Sequence, residues 1–316
     1  MIITAAARGK PVLHWPEDIS ATLDRLQRVA PLPTLRARDA LARFFESLEH
    51  SVWPEIAWSF SRLTNTGVPI EFAWSSRDLA VRYTVEADAP EAADTQRLAI
   101  AAHRLQHDFG CLVNESLETW VSAQTCGPLK FGAWIGGRHT AQSDAFKLYI
   151  ELPGVLPELP ALRHPICRHY GMKWRMAGIS ASGECVELYA YAPDLNGQLL
   201  GVIEATVLGS DRRLLKAIIS FSQHDELPNP SGISFAFDAQ GVIRGVCWFT
   251  FAKALFSNDD ATQAAILRWT RDAAVDNTFY SALISGQQDV RWRHGIIGMG
   301  LDATGKLWLQ AGLRPS

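Results

Sequence analysis

FGAWIGGRHTAQSDAFKLYIEL, residues 131–152, reads as two strands joined by a polar turn. In its second half Lys147, Tyr149 and Glu151 alternate with Phe146, Leu148, Ile150 and Leu152, so one face is charged and aromatic and the other aliphatic. Taken alone, that is a half-buried strand with its polar face in water. The pattern recurs, however. VELYAYA (186–192) sets Glu187, Tyr189 and Tyr191 against Val186, Leu188 and Ala190, and KLWLQAGL (306–313) sets Lys306, Trp308 and Gln310 against Leu307, Leu309 and Ala311. Large aromatics are costly to leave in water, so several strands carrying them on the polar face predict that this face lines an enclosed chamber.

Working outward, the chain has 316 residues, 47% hydrophobic and 20% charged, enough to bury a sizeable core. We expect a single domain over 1–316 with a loose arm at 1–15. A formal net charge of −3 without a Lys/Arg block argues against nucleic acid or a membrane surface as partner. The sequence has neither an apolar run of membrane-spanning length nor a signal-peptide core near its start, and the expectation is a cytoplasmic protein, monomeric in solution. Cys111, Cys126, Cys167, Cys185 and Cys247 are scattered, odd in number and without CxxC spacing, which reads as reduced thiols.

Apolar spacing predicts helices over 16–30, over 34–48 with Thr34 as cap, over about 91–109, and through Glu118 and Trp120. Residues 156–170 read as partly helical, 196–221 as helical in at least the second half, and 259–285 as a long helical region. Between them stand five hairpins, at 68–88, 131–152, 173–192, 232–252 and 294–313, the last two turning at DAQG and DATG. Tight hairpins exclude a parallel sheet. The expected fold is α+β: ten antiparallel strands closed into a barrel, with helices between successive hairpins covering its outside. Ten strands leave an interior wider than the packed core of an eight-stranded barrel.

That architecture, built from repeated ααββ units, resembles the ABBA-fold (PT-barrel) prenyltransferases. At the residue level three places are similar to the branch that prenylates ribosomally derived cyclic peptides, the cyanobactin prenyltransferases: Val-Pro-Ile-Glu71 with Arg82 on the partner strand, Phe-Lys147-Leu-Tyr149, and SGECVELYAYA (182–192). The likeness runs from about residue 40 onward. The chain is shorter than the fungal indole enzymes and differs from the cyanobacterial ones in a proline-rich middle and abundant tryptophan.

The resemblance implies transfer of a dimethylallyl or geranyl group from its diphosphate to an aromatic or guanidine side chain of a peptide. A free indole or phenol is the alternative acceptor, and a barrel that binds a hydrophobic ligand without chemistry is the alternative of another class. Such a reaction requires cations for the diphosphate, π-faces for an allylic cation and a base near the acceptor. Arg82, Arg138, Lys147, Arg244 and Lys306 fall on or beside the expected inner faces. The resemblance assigns the diphosphate to Arg82 and Lys147 first, with Tyr149 as a hydrogen-bonding neighbour. Tyr189, Tyr191, Trp248 and Trp308 are the candidate cation shield, with core packing as the alternative for each. Glu71 is the candidate base, matching the family's acceptor-side glutamate, with a salt bridge to Arg82 as its structural alternative. Glu187 and Asp238, with Glu86 and Glu151, are expected to add inward acid that would suit a cationic acceptor such as a peptide arginine as well as a phenol or indole, or would help hold Mg2+, which the family permits; no organic cofactor is implied. Asp259-Asp260 lacks the second half of a DDxxD motif, and His164, Cys167 and His169 make a weak metal set beside Pro165.

Overall fold

The structure, a computed structural model, describes residues 15–64, 66–111, 117–154, 156–159, 162–168, 170–181, 183, 185–286 and 292–316. The ten strands are β1 (Ile70–Ser75), β2 (Val81–Glu86), β3 (Ala133–His139), β4 (Asp144–Glu151), β5 (Lys173–Ser180), β6 (Cys185–Tyr191), β7 (Gly232–Asp238), β8 (Ile243–Phe251), β9 (His294–Asp302) and β10 (Leu307–Leu313). Each pairs antiparallel with its neighbours in sequence, and β1 pairs with β10, so the sheet is a closed barrel. The five hairpin turns therefore lie at one end and the longer connections at the other.

The period-two pattern sends one side chain outward and the next inward. Phe72, Val85, Ile135, Leu148, Phe235 and Leu309 on the outer face are buried under the helical layer. That layer comprises α1 (Glu17–Val29), α2 (Pro31–Glu49), α3 (Pro54–Ala57), α4 (Arg97–Phe109), α5 (Leu117–Gln124), α6 (Gly197–Leu208), α7 (Arg213–Ser222), α8 (Ala252–Leu255), α9 (Asp259–Asp272) and α10 (Thr278–Ile284). Phe44 of α2 meets Phe146 of β4 edge-on at 6.0 Å, and Trp74 of β1 meets Tyr280 of α10 at 5.2 Å. The hydrophobic core is thus the annulus between barrel and helices. The lumen is a separate, polar compartment. No described helix is long and apolar enough to cross a membrane.

Several expected boundaries move. Thr34 is not a cap: α2 begins at Pro31, whose fixed φ suits a first helical position, and the Thr34 hydroxyl donates back to the carbonyl of Ala30 at 2.7 Å. The fourth helix starts at Arg97 rather than near Glu91, and the two long helical regions are each broken in two. Among the described residues of 156–170, Pro165–Arg168 forms a helical turn. The expected arm at 1–15 falls outside the described residues but for Trp15, as does His169 of the weak metal set. Asp259 opens α9 and accepts from the backbone N–H groups of Arg293 and His294, both at 3.0 Å, fixing the entry into β9.

Glu86 and Glu151, expected to enrich the lumen in acid, are spent on the frame instead. Glu151 Oε2 accepts from three consecutive backbone N–H groups, of Lys130, Phe131 and Gly132. Glu86 accepts from Ser61 Oγ and from Arg62 N, and pairs at 2.7 Å with Arg97, whose guanidinium also donates to the carbonyl of Ala89. Both side chains of that pair are only 6% exposed, so losing one partner strands a buried charge. Arg97→Met is therefore expected to lower stability by about 3–5 kcal/mol, and the double variant Arg97→Met/Glu86→Leu to recover part of the loss, as read by denaturant unfolding.

Candidate active site

Inward positions at the turn end carry positive charge, and the sequence places them there by strand parity and by one turn. Arg82 of β2 and Arg138 of β3 are direct register partners. Between them stands Asp78, from the turn joining β1 and β2. It accepts from Arg82 Nη1 and Nη2 at 2.6 and 2.8 Å and from Arg138 Nη2 and Nε at 2.6 and 3.2 Å. Burial alone would raise the Asp78 pKa, but the hydrogen bonds and charges of Arg82 and Arg138 outweigh it and hold the carboxyl below its usual range. Two guanidiniums are thus fixed around one carboxylate with a charge of +1 to spare.

Deeper in the lumen Lys147 Nζ donates to Glu187 Oε2 at 2.8 Å, and Ser234 Oγ donates to Glu187 Oε1 at 2.7 Å. Burial opposes both charges, yet each stabilises the other: the lysine is held above its ordinary pKa, the glutamate below. Around this pair the aromatic rings converge. Tyr149 lies 5.6 Å from Lys147 Nζ and 6.1 Å from Tyr189, which in turn lies 6.2 Å from Phe249. Gly178 makes the convergence possible, since a Cβ there would sit 2.9 Å from Lys147 Cδ and 3.3 Å from both tyrosine rings. Tyr191 continues the inward face of β6 toward the opposite end and is half-buried.

Glu71 is the different member. It points into the lumen from β1, over Gly295 and Gly312, whose added Cβ atoms would come within 2.7 and 2.6 Å of Oε1. Among the described residues it makes no hydrogen bond or ion pair. The expected alternative, a salt bridge to Arg82, is absent because Asp78 holds that arginine. Burial pushes the Glu71 carboxyl up to about 7, against a partial pull downward from Arg314.

Other candidates lie elsewhere. Trp248 faces outward, fully buried in the helical layer, with its indole N–H donating to Ser231 Oγ at 3.0 Å. Ala236 pairs with Gly245 and Phe237 with Ile243, so Arg244 is an extra residue in β8 that shifts its parity, and Phe249 takes the inward place. Arg244 and Asp238 pair with each other at the β7–β8 turn, where the arginine side chain is 61% exposed, and Lys306 is exposed in the β9–β10 turn before its strand begins. Trp308 does face the lumen, nested over Gly300, but the guanidinium of Arg77 covers its ring at 3.4 Å. Arg77, Asp78 and Phe249 were not singled out from sequence. Phe249 had a signal in the alternation of VCWFTF; the two turn residues had none, because a turn carries no parity.

No group of three or more His, Cys, Asp or Glu among the described residues is arranged to hold a metal ion. Asp78 and Glu187, the carboxylates nearest the cations, are each already neutralised. The donor set does not fit a resident Mg2+.

No protein-family model matches the chain, and no curated protein matches it in sequence. Solved structures do match in shape. The 5-dimethylallyltryptophan synthase of Streptomyces coelicolor, solved in complex with DMASPP and Trp, is 13% identical with a TM-score of 0.75, covering 95% of this chain and 94% of that one. The 6-dimethylallyltryptophan synthase of Micromonospora olivasterospora, also in complex with DMASPP and Trp, is 14% identical with a TM-score of 0.70, covering 95% and 96%. AnaPT from Neosartorya fischeri is 11% identical with a TM-score of 0.69, covering 94% and 92%. The chain therefore has the ABBA, or PT-barrel, fold over nearly its whole length.

A carboxyl that ionises only near pH 7 when folded, but near 4.5 as an ordinary glutamate, sets a sign. Ionising Glu71 is harder in the folded state, so the cost is absent below the unfolded value, grows as pH rises, and is complete above about 7. Glu71→Gln is expected to melt higher than the parent at pH 8, by up to about 3 kcal/mol in stability, with the gap closing toward pH 4.5 in a thermal series.

Proposed function

We propose that this protein is a prenyltransferase that moves a dimethylallyl or geranyl group from its diphosphate to a small aromatic acceptor bearing an acidic N–H or O–H, with an indole as the best fit. The observation that carries the reading is Glu71. It is a half-buried carboxylate facing the lumen, without a hydrogen bond among the described residues and with its pKa raised by desolvation, in the same lumen as the cations and the aromatic rings. A neutral donor group is the ligand such a carboxylate lacks.

In this reading the C1–O bond of the donor breaks and its electron pair leaves on the diphosphate, which Arg82, Arg138 and Lys147 stabilise as charge builds. Lys147 exchanges Glu187 for a phosphate oxygen, while Ser234 keeps the glutamate hydrogen-bonded. Tyr149, Tyr189 and Phe249 offer π-faces to the allylic cation and exclude the water that would quench it. Glu71 accepts a hydrogen bond from the acceptor's N–H, raising electron density in the ring that attacks C1. The proton then displaced from the attacked ring carbon must leave to a base or to solvent.

An aromatic side chain on a ribosomal cyclic peptide is the second reading, supported by the likeness of VELYAYA and its neighbours to the cyanobactin enzymes. A guanidine acceptor has lost its support, because Glu86, Glu151, Glu187 and Asp238 are all engaged by cations or backbone N–H groups. The test is incubation with dimethylallyl and geranyl diphosphate against L-tryptophan, indole, tyrosine and tryptophan- or tyrosine-bearing cyclic peptides, read by mass. One isoprenoid added to a free aromatic supports the first reading, and addition to the peptide alone supports the second. Donor left intact with every acceptor rejects both and favours a binding barrel.

Two outcomes are expected with the productive pair. Lys147→Ala lowers kcat/KM for the donor by about two orders of magnitude. With the carboxylate as the active form, kcat/KM for the acceptor rises with pH through about 7, the value set by burial of Glu71, and the rise is absent in Glu71→Gln.

A further inference from the structure

The cations at the turn end of the lumen are not equally available. Arg82 and Arg138 share Asp78, and Lys147 is held by Glu187. Arg77 is different. Its guanidinium makes no hydrogen bond and no ion pair among the described residues, and lies flat against Trp308 with its centre 3.4 Å from the ring centroid. A stacked guanidinium keeps all its N–H donors at the edge of the plane, free for a ligand, while the ring fixes where that plane stands.

The platform itself is built. Trp308 is 5% exposed, and its ring occupies the space over Gly300, where a Cβ would come within 2.0 Å of it. The turn that carries Arg77 is tied to the same strand. Ser76 N donates to the carbonyl of Leu309 at 2.9 Å, and Leu309 N donates to Ser76 Oγ at 2.9 Å. Arg77 is exposed at the turn end, and its electrostatic neighbours include Glu187, Cys247 and Arg82 on the inward face, which places it at the mouth of the lumen.

We infer that Arg77, carried on Trp308, is the principal uncommitted cation for the donor's diphosphate, and that Trp308 is its platform rather than a shield for the allylic cation. This deepens the prenyl-transfer reading and rests on it. Charge decides the role. Asp78 leaves one net positive charge on the Arg82–Arg138 pair, and Lys147 with Glu187 leaves none, so Arg77 supplies the second positive charge facing a diphosphate. It binds that group without first giving up a carboxylate.

The experiment is calorimetric titration of the full chain with inorganic pyrophosphate, beside steady-state kinetics, for the parent, Arg77→Met, Arg77→Lys and Trp308→Leu. A lost charge-assisted contact predicts that Arg77→Met weakens pyrophosphate about tenfold or more. KM for the donor rises and kcat falls, since the same contact answers the charge that builds on the departing diphosphate, while KM for the acceptor stays near the parent's. Arg77→Lys falls between, since an ammonium keeps the charge without the stacked plane, and Trp308→Leu weakens pyrophosphate with Arg77 intact. Should Arg77→Met be poorly folded by its melting curve, the Arg77→Lys result carries the test. A methionine or lysine variant that binds pyrophosphate as tightly as the parent overturns the role of Arg77 and leaves prenyl transfer standing. A parent that binds no pyrophosphate and turns over no donor overturns both.

Discussion

The pairing of β1 with β10 is the interaction on which the rest depends. Phe72 to Ser75 meet Leu313 to Gln310 in antiparallel register, which removes both edges of a ten-stranded sheet at once. Closure separates two compartments that an open sheet would merge: an apolar annulus beneath the helices and a lumen that holds charge. It also brings the first and last hairpins side by side. Glu71 comes to lie over Gly312, and Ser76 to meet Leu309, through contacts between residues more than two hundred positions apart in the chain.

Inside the lumen the governing constraint is that charge must be answered. Asp78 binds two arginines, Glu187 binds Lys147 and Ser234, and Glu86 and Glu151 are drawn into the frame at the other end. These pairs let cations stand ready in a space shielded from bulk water without tearing the barrel apart by mutual repulsion. Glu71 and Arg77 have no such partner among the described residues. Glu71 answers the problem by a raised pKa, and Arg77 by stacking on an aromatic ring. Both cost stability compared with a paired charge, and unanswered groups of this kind are where a binding site is to be sought.

Period-two alternation made the five hairpins legible in the sequence, and the hairpins made the barrel legible, because a side chain's face is a local property of a strand. The same rule correctly turned Glu71, Arg82, Arg138, Lys147, Tyr149, Tyr189 and Trp308 inward. It failed at Trp248, where an extra residue within β8, Arg244, shifts the count by one. It was silent about Arg77 and Asp78, since a turn has no alternation, and about which charges would be consumed: that Asp78 reaches Arg138, sixty residues away, follows from the pairing of β2 with β3 across a long connection and not from any local pattern. The start at Arg97 was set too early, because nothing in 91–96 breaks a helical pattern, and the start at Pro31 too late, because Thr34 was read as a cap where Pro31 already supplies the first turn.

The glycines on the inward face carry a consequence of their own. Gly178 and Gly300 are filled by the side chains of other strands, so enlarging them would eject Lys147, the tyrosines or Trp308 from their seats. Ala73 and Ala236 are inward and half-exposed to the lumen. The chamber can therefore be resculpted by adding bulk at its alanines but not at its glycines, and a lineage of such barrels could change the molecules it admits while the ionic fittings and the walls behind them stayed the same.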